Sequence, residues 1–332
     1  MKYMDLHCDT LMYLGREGFG SLEKNTKCVD FSRMRKGEAY LQCFAIWMLQ
    51  ESHWAQLGAE PEEDEAYIER LAKGLQEEIQ ASDSNVALVR DFGQIEENRK
   101  AGKLSAVLTM EDGRAVNGKL ENLNRFYQMG VRMMALLWNH ENCLGYPNSA
   151  DPEIMKKGLK PFGIQAVERM NELGMVVDVS HLNDGGFYDV ARFSKKPFVA
   201  SHSNARSLSP HRRNLTDDMI RILAEHGGVA GLNFCPGFLQ KNTDSLDSTI
   251  ERMTAHIKHM VMTGGIECVA IGTDFDGMDG NLEIGSPGEM NKLWEALKKE
   301  GFSYGDLEKI AWKNGLRVWL DNRPQRDVID GR

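Results

Sequence analysis

The residues best suited to chemistry in this chain are histidines and carboxylates that stand where short apolar runs end. The first such place is Asp5-Leu6-His7-Cys8-Asp9-Thr10. Side chains alternate along a strand, so His7 and Asp9 share one face while Cys8 takes the other. An imidazole and a carboxylate on one face suit a divalent cation such as Zn2+, and equally suit a plain hydrogen-bonded pair. The same ending recurs at Val107-Leu108-Thr109-Met110-Glu111-Asp112-Gly113, at Val176-Val177-Asp178-Val179-Ser180-His181, and at Phe198-Val199-Ala200-Ser201-His202-Ser203-Asn204. In a barrel of parallel strands the carboxyl ends form one mouth, which brings His7, Asp9, Glu111, His181 and His202 together. Three imidazoles and two carboxylates exceed what one tetrahedral zinc with an open position needs, but they suit two metals sharing a carboxylate. Glu111 is the natural bridge.

A further run ends Ala270-Ile271-Gly272-Thr273-Asp274-Phe275-Asp276-Gly277 and adds a carboxylate to the same mouth. Asp274 is placed to take a proton from metal-bound water and hand it to a leaving amine, as amide hydrolysis requires. Asp276, beside Gly277, reads more simply as a turn residue. Two loops are candidates for substrate contact: Trp138-Asn139-His140-Glu141-Asn142 and His211-Arg212-Arg213-Asn214. Arg213 is a candidate for holding a carboxylate, although a basic loop is commonly just solvated. His256 and His259 lie three residues apart with no third ligand nearby and read as ordinary helix residues.

The elements that must position these groups follow from the hydrophobic pattern. Short apolar runs at 3–8, 40–47, 104–110, 131–138, 175–179, 198–201, 229–234 and 268–273 alternate with helical patterns at 61–81, 93–101, 120–129, 162–173, 185–193, 216–226, 246–262, 289–299 and 303–320. The acidic run ahead of the first helix is expected to put Pro61 at its first position. Eight strands each leading toward a helix, with no linker dividing them, predict a (β/α)8 TIM barrel spanning 1–332 as one domain; an open doubly wound sheet shares the local pattern. The 332 residues are 42% hydrophobic and 27% charged, which excludes disorder and small disulfide scaffolds. A net charge of -9 disfavours nucleic acid and anionic membranes as partners. The six cysteines form no C-x-x-C pair, no signal-like segment opens the chain, no apolar stretch approaches the ~20 residues of a membrane span, and the polar 327–332 carries no lipidation signal. A cytoplasmic protein is expected, with a homodimer held open.

Taken together, Asp5-Leu6-His7-Cys8-Asp9-Thr10, Glu111-Asp112-Gly113, Trp138-Asn139-His140, Asp178-Val179-Ser180-His181, Ser201-His202-Ser203, Arg212-Arg213-Asn214 and Thr273-Asp274-Phe275-Asp276-Gly277 resemble the membrane dipeptidase (renal dipeptidase) family of zinc metallopeptidases, nearly end to end and in order. The resemblance implies a (β/α)8 barrel with two Zn2+ per chain, one on His7, Asp9 and Glu111 and the other on Glu111, His181 and His202. It also implies that His140 contacts the substrate carbonyl region, that Arg213 helps hold the substrate, and that Asp274 engages its amino end or moves protons. Many relatives place Gly directly after the bridging Glu; here Asp112 intervenes, and strand alternation keeps Glu111 preferred. Cys235 follows Asn233-Phe234 where the mammalian enzymes have Tyr, a departure that bears on selectivity.

The expected reaction is therefore hydrolysis of a dipeptide by a hydroxide bridging two zincs, with His140 and one zinc stabilising the oxyanion and Asp274 protonating the departing amine. The resemblance implies an L residue at the amino side and either stereoisomer at the carboxyl side. Manganese or cobalt would suit the same ligands. Two alternatives stand beside it: another binuclear amidohydrolase acting on N-acyl amino acids, lactones or bases, and a metal-stabilised binding protein without catalysis.

Overall fold

The computed structural model describes residues 1–82 and 85–324, so the polar stretch 327–332 lies outside the described residues. Eight parallel strands form the central sheet: β1 (Tyr3–Asp5), β2 (Ala39–Trp47), β3 (Leu104–Glu111), β4 (Val131–Ala135), β5 (Val176–Asp178), β6 (Val199–Ala200), β7 (Val229–Leu232) and β8 (Val269–Ile271). They neighbour one another in chain order, with one extra strand, Val86–Leu88, pairing alongside β3. Backbone hydrogen bonds close the ring between its first and last members. Leu6 N–H donates to Ile271 O at 3.0 Å, Asp274 N–H to His7 O at 3.2 Å, and Asp9 N–H to Phe275 O at 3.0 Å. The fold is the expected (β/α)8 TIM barrel.

The helices lie where their apolar periodicity put them, with local differences at their ends. The first long helix is Asp64–Ala81, so Pro61 precedes it by a turn instead of starting it, and Asp64 and Glu65 supply the acidic first turn. Carboxylates there oppose the positive end of the helix dipole. The final helical stretch is broken: Tyr304–Glu308 and Asn314–Asp321 flank a π-helical turn at Lys309–Lys313. Among the described residues no helix is long and apolar enough to cross a membrane.

Two apolar clusters divide the core. The larger joins the outer strand faces to the surrounding helices. The smaller fills the barrel and takes a residue from every strand or its extension, among them Leu6, Leu41, Val107, Met133, Val176 and Val229, and it continues into Val318 and Trp319 of the last helix. Trp319 tilts against Phe92 at 5.0 Å between centroids and helps plug the end where the strands begin. That filling leaves only the other end open to a ligand.

Near the mouth the barrel becomes too narrow for side chains at two positions. A Cβ at Gly231 would stand 1.9 Å from the Ser201 carbonyl oxygen, and one at Gly272 would stand 1.7 Å from the same atom. The missing side chains let the chain after β6 bend inward, which carries His202 toward the axis. Gly272→Ala is therefore expected to cost at least about 2–3 kcal/mol through overpacking against backbone, read as a lowered urea midpoint with unchanged slope. Gly305→Ala, where the new Cβ meets only the hydroxyl of Ser303 at 3.7 Å, should leave that midpoint unchanged or raise it.

Candidate metal centre

The mouth gathers six of the singled-out side chains, one or two from each contributing strand end. Met4 and Leu6 belong to the inner cluster and Cys8 to the outer, so side-chain alternation slips past Leu6 and turns His7 and Asp9 to the mouth. Glu111 is the last residue of β3. His181 and Asp274 follow β5 and β8 with φ of 69° and 64°, in the left-handed region that costs a non-glycine residue about a kcal/mol or more. Asp112 has φ 77° and turns away from the mouth: Asn142 Nδ2 and Arg114 N–H donate to its Oδ1 at 2.8 and 3.1 Å. Glu111 is thus the carboxylate that enters the cluster.

Three sets of donor atoms fall within 4.8 Å of one another: His7 with Asp9 and Glu111, Glu111 with His181 and His202, and His7 with His202 and Asp274. His7 Nε2 lies 3.3 Å from Asp9 Oδ2 and 3.8 Å from both Glu111 Oε2 and Asp274 Oδ1. On the far side Glu111 Oε1 lies 2.9 Å from His181 Nε2 and 3.3 Å from His202 Nε2. All six side chains are buried.

The hydrogen bonds behind the two far imidazoles fix which nitrogen carries the proton. Asp178 accepts from the Ser180 and Ser201 N–H groups, each at 2.9 Å, and from Ser201 Oγ at 2.5 Å. With its proton committed to Asp178, Ser201 Oγ accepts from His202 Nδ1–H at 2.7 Å. Asn139 Oδ1 accepts from His181 Nδ1–H at 3.1 Å. Both Nε2 atoms therefore present lone pairs, and they stand 3.1 Å apart with Glu111 Oε1 against them. Histidines that bind metals are held in this way, with the rear N–H donated to an oxygen and the other nitrogen's lone pair left for an ion.

The charges agree with the geometry. Burial, then the Asp9 charge, lifts the Glu111 carboxyl well above its usual range. Burial pulls His181 and His202 well below theirs. It also pulls His7 down, but Asp9, Glu111 and Asp274 outweigh it and push that imidazole up to about 10. One further oxygen, Asp9 Oδ1, is buried with no hydrogen-bond partner among the described residues. A cluster so rich in electron pairs is stabilised by cations, and its mixture of imidazole nitrogen and carboxylate oxygen fits borderline divalent ions.

Arg213 lies at the edge of this cluster. Its guanidinium is buried, donates to Ser203 Oγ at 3.2 Å and His202 O at 3.3 Å, and has an Nε without an acceptor among the described residues. Burial lowers its pKa, against the opposing pull of Asp274 and Glu111. His140 is the outlier: it is exposed at the rim, its ring 5.8 Å from Trp138, outside the three donor sets. Asp276 anchors loops, accepting from Thr10 Oγ1 at 2.5 Å and Cys28 N–H at 2.7 Å. His256 and His259 are spent elsewhere, on Leu239 O and Asp217 respectively.

Four contributors were not singled out in the sequence. Asn233 Nδ2 donates to Asp274 Oδ2 at 2.9 Å and to His202 O at 3.2 Å. Asn139, Asp178 and Ser201 orient the imidazoles as described. Asn139 and Ser201 stand directly beside His140 and His202, while Asp178 lies three residues before His181 and Asn233 two before Cys235. Gly277 is required for a different reason: a Cβ there would lie 2.0 Å from Asp9 Oδ2 and 2.7 Å from Asp274 Oδ1.

The chain is similar to known proteins over most of its length. A family model described as membrane dipeptidase (peptidase family M19) matches residues 1–327. The uncharacterized protein in pqqA 5'region of Klebsiella pneumoniae is 34% identical over 252 residues, covering 74% of this chain and 92% of its own. An uncharacterized dipeptidase of Schizosaccharomyces pombe is 31% identical over 226 residues, 67% of this chain and 54% of its own, so the match spans about half the fungal protein. Among solved structures, a metallo peptidase from Rhodobacter sphaeroides, liganded with a phosphinate mimic of the dipeptide L-Ala-D-Ala, superposes with TM-score 0.87 at 26% identity over 97% of this chain and 99% of that one. The metallo peptidase called dipeptidase AC does so with TM-score 0.88 at 25% identity over 98% and 99%. With its whole described length matched by the family model and its strand-end histidines and carboxylates gathered at one barrel mouth, the chain belongs to the membrane dipeptidase family, peptidase family M19.

Proposed function

We propose that this chain is a zinc-dependent dipeptidase in which residues 1–332 act as one catalytic unit. His7, Asp9 and Glu111 would hold one ion, and Glu111, His181 and His202 the other. The observation that carries the reading is the pair of opposed Nε2 lone pairs 3.1 Å apart, each imidazole held from behind and Glu111 Oε1 beside both. When bound, the two ions supply Lewis acidity for the scissile carbonyl and acidify the attacking water.

The chain's own residues do the rest. Asn233 holds Asp274 Oδ2, leaving Oδ1 on the His7 side of the cluster, where it takes the proton of the attacking water and returns it to the departing amine. Arg213, a buried cation with an open Nε–H, receives the substrate carboxylate through charge-assisted hydrogen bonds. His140, exposed at the rim, is the candidate donor to the carbonyl oxygen, where it would stabilise the developing negative charge. Recognition of both ends within one mouth limits the substrate to two residues. An L residue at the amino side and either stereoisomer at the carboxyl side accord with the L-Ala-D-Ala mimic held by the Rhodobacter sphaeroides relative.

Zinc-loaded protein is expected to bind close to two ions per chain by metal analysis and to hydrolyse a broad dipeptide panel, with activity lost to a chelator and restored by Zn2+. Cleavage of N-acyl amino acids with the dipeptides left intact would replace this reading by another amidohydrolase chemistry. At matched zinc content, Asp274→Asn should lower kcat by about 10²–10⁴-fold, the usual range for a lost acid–base group. Arg213→Met should lower kcat/KM for dipeptides by roughly 100-fold, a few kcal/mol of charge-assisted binding, while dipeptide amides, which lack the carboxylate, change far less.

A further inference from the structure

The mouth has two unlike sides. Around the ring from β6 to β8 it is lined by Arg213, Asn233 and Asp274, while from β2 to β4 it is aromatic. Trp47 closes β2 in direct register with Glu111 of β3, and register partners on parallel strands point the same way, so its indole faces the mouth. Trp138 packs on Trp47 with ring centroids 5.2 Å apart and reaches to 6.1 Å from the His181 ring. His53, carried by the short helix Glu51–Gln56, completes the group at 4.5 Å from Trp47 and 5.2 Å from Trp138.

This wall is held rigidly and left open. Gln50 N–H donates to His53 Nδ1 at 3.2 Å as part of a capping box, which fixes the ring and leaves its Nε2–H available. Trp47, His53 and Trp138 are each half-buried, with ring surface still uncovered. The Trp47 indole N–H is buried with no acceptor among the described residues. Burial, with His140 nearby, holds the His53 imidazole below its usual value, so the wall carries no charge at neutral pH. Flat apolar faces on rigid side chains favour apolar and aromatic groups over charged ones.

We propose that Trp47, His53 and Trp138 form the specificity pocket for the amino-side residue of the substrate and select large apolar or aromatic side chains there. The placement rests on the dipeptidase reading above: with the carboxylate held by Arg213 on the β6 side, the residue bearing no carboxylate lies across Glu111 and His181, against the wall. Steady-state kinetics on the zinc-loaded enzyme, using Phe-Ala, Ala-Phe and Ala-Ala, test it. The wild type should favour Phe-Ala over Ala-Ala by about tenfold or more in kcat/KM, in the range a hydrophobic pocket gives for a few added carbons. His53→Ala and Trp138→Leu should each collapse that ratio toward one, while the Ala-Phe to Ala-Ala ratio stays put. Because both numbers are ratios within one preparation, incomplete folding or metal loading of a variant leaves them readable. An unchanged Phe-Ala ratio in both variants, or a change confined to Ala-Phe, would overturn the pocket and leave the dipeptidase reading standing. A fully loaded wild type that cleaves none of the three would overturn that reading and the pocket with it.

Discussion

The imidazoles of His181 and His202 face each other lone pair to lone pair, against a Glu111 carboxylate, and Asp9 and Asp274 crowd in from the other side. Left to itself such a cluster would fly apart or take up protons. Holding it in register is the task on which the surrounding structure depends. The barrel is suited to that task because its strand ends cannot move independently: each is hydrogen-bonded to two neighbours, and the interior beneath is filled with side chains. The fold preorganises closely spaced electron-pair donors in an arrangement that bound cations would stabilise.

The cost of that preorganisation is visible in the backbone. His181 and Asp274 adopt positive φ without being glycine, as does Asp112 directly after Glu111. Each is over-determined by its neighbours. Asp112 is tied by Asn142 and Arg114, and Arg114 is tied in turn to Asp64 and to the carbonyls of Met48 and Leu49. Asp5 performs the same service at the seam, accepting from Thr273 N–H at 2.9 Å and Thr273 Oγ1 at 2.7 Å. Where a side chain would strike the Ser201 carbonyl, at Gly231 and Gly272, or the carboxylates of Asp9 and Asp274, at Gly277, the sequence omits it.

The eight strands and the ligand cluster were legible because both depend on local signals. A strand announces itself by its apolar run, and a barrel gives every strand end the same destination, so His7, Glu111 and His202 are marked by standing where an apolar run ends. The extra strand Val86–Leu88 and the helix Glu51–Gln56 were not legible, being too short to show a period. Pro61 misleads for a related reason: four acidic residues follow it, and the helix begins only at the third of them, where Asp64 and Glu65 answer its dipole. Asn139, Asp178, Ser201 and Asn233 escaped because their roles are defined across strands. Nothing adjacent to Ser201 says that its hydroxyl bridges Asp178 to His202.

The division of the mouth into polar and aromatic sides follows from the same economy of space. The candidate ligand donors occupy the axis, so on the proposed reading substrate groups would be met by residues one step farther out, on the loops that follow each strand. Those after β6, β7 and β8 supply Arg213, Asn233 and Asp274, which can bear burial because each faces an opposite charge or an amide. On the β2 to β4 side Glu111 already contributes a buried carboxylate, and another fixed charge there would either compete for the ions or repel them. Uncharged rings avoid both outcomes, exclude water from the axis and still leave a surface to be covered. On the proposed reading, chemistry and selectivity fall to different strands, and loop changes after β2 or β4 would alter the preferred side chain while the candidate metal ligands stay as they are.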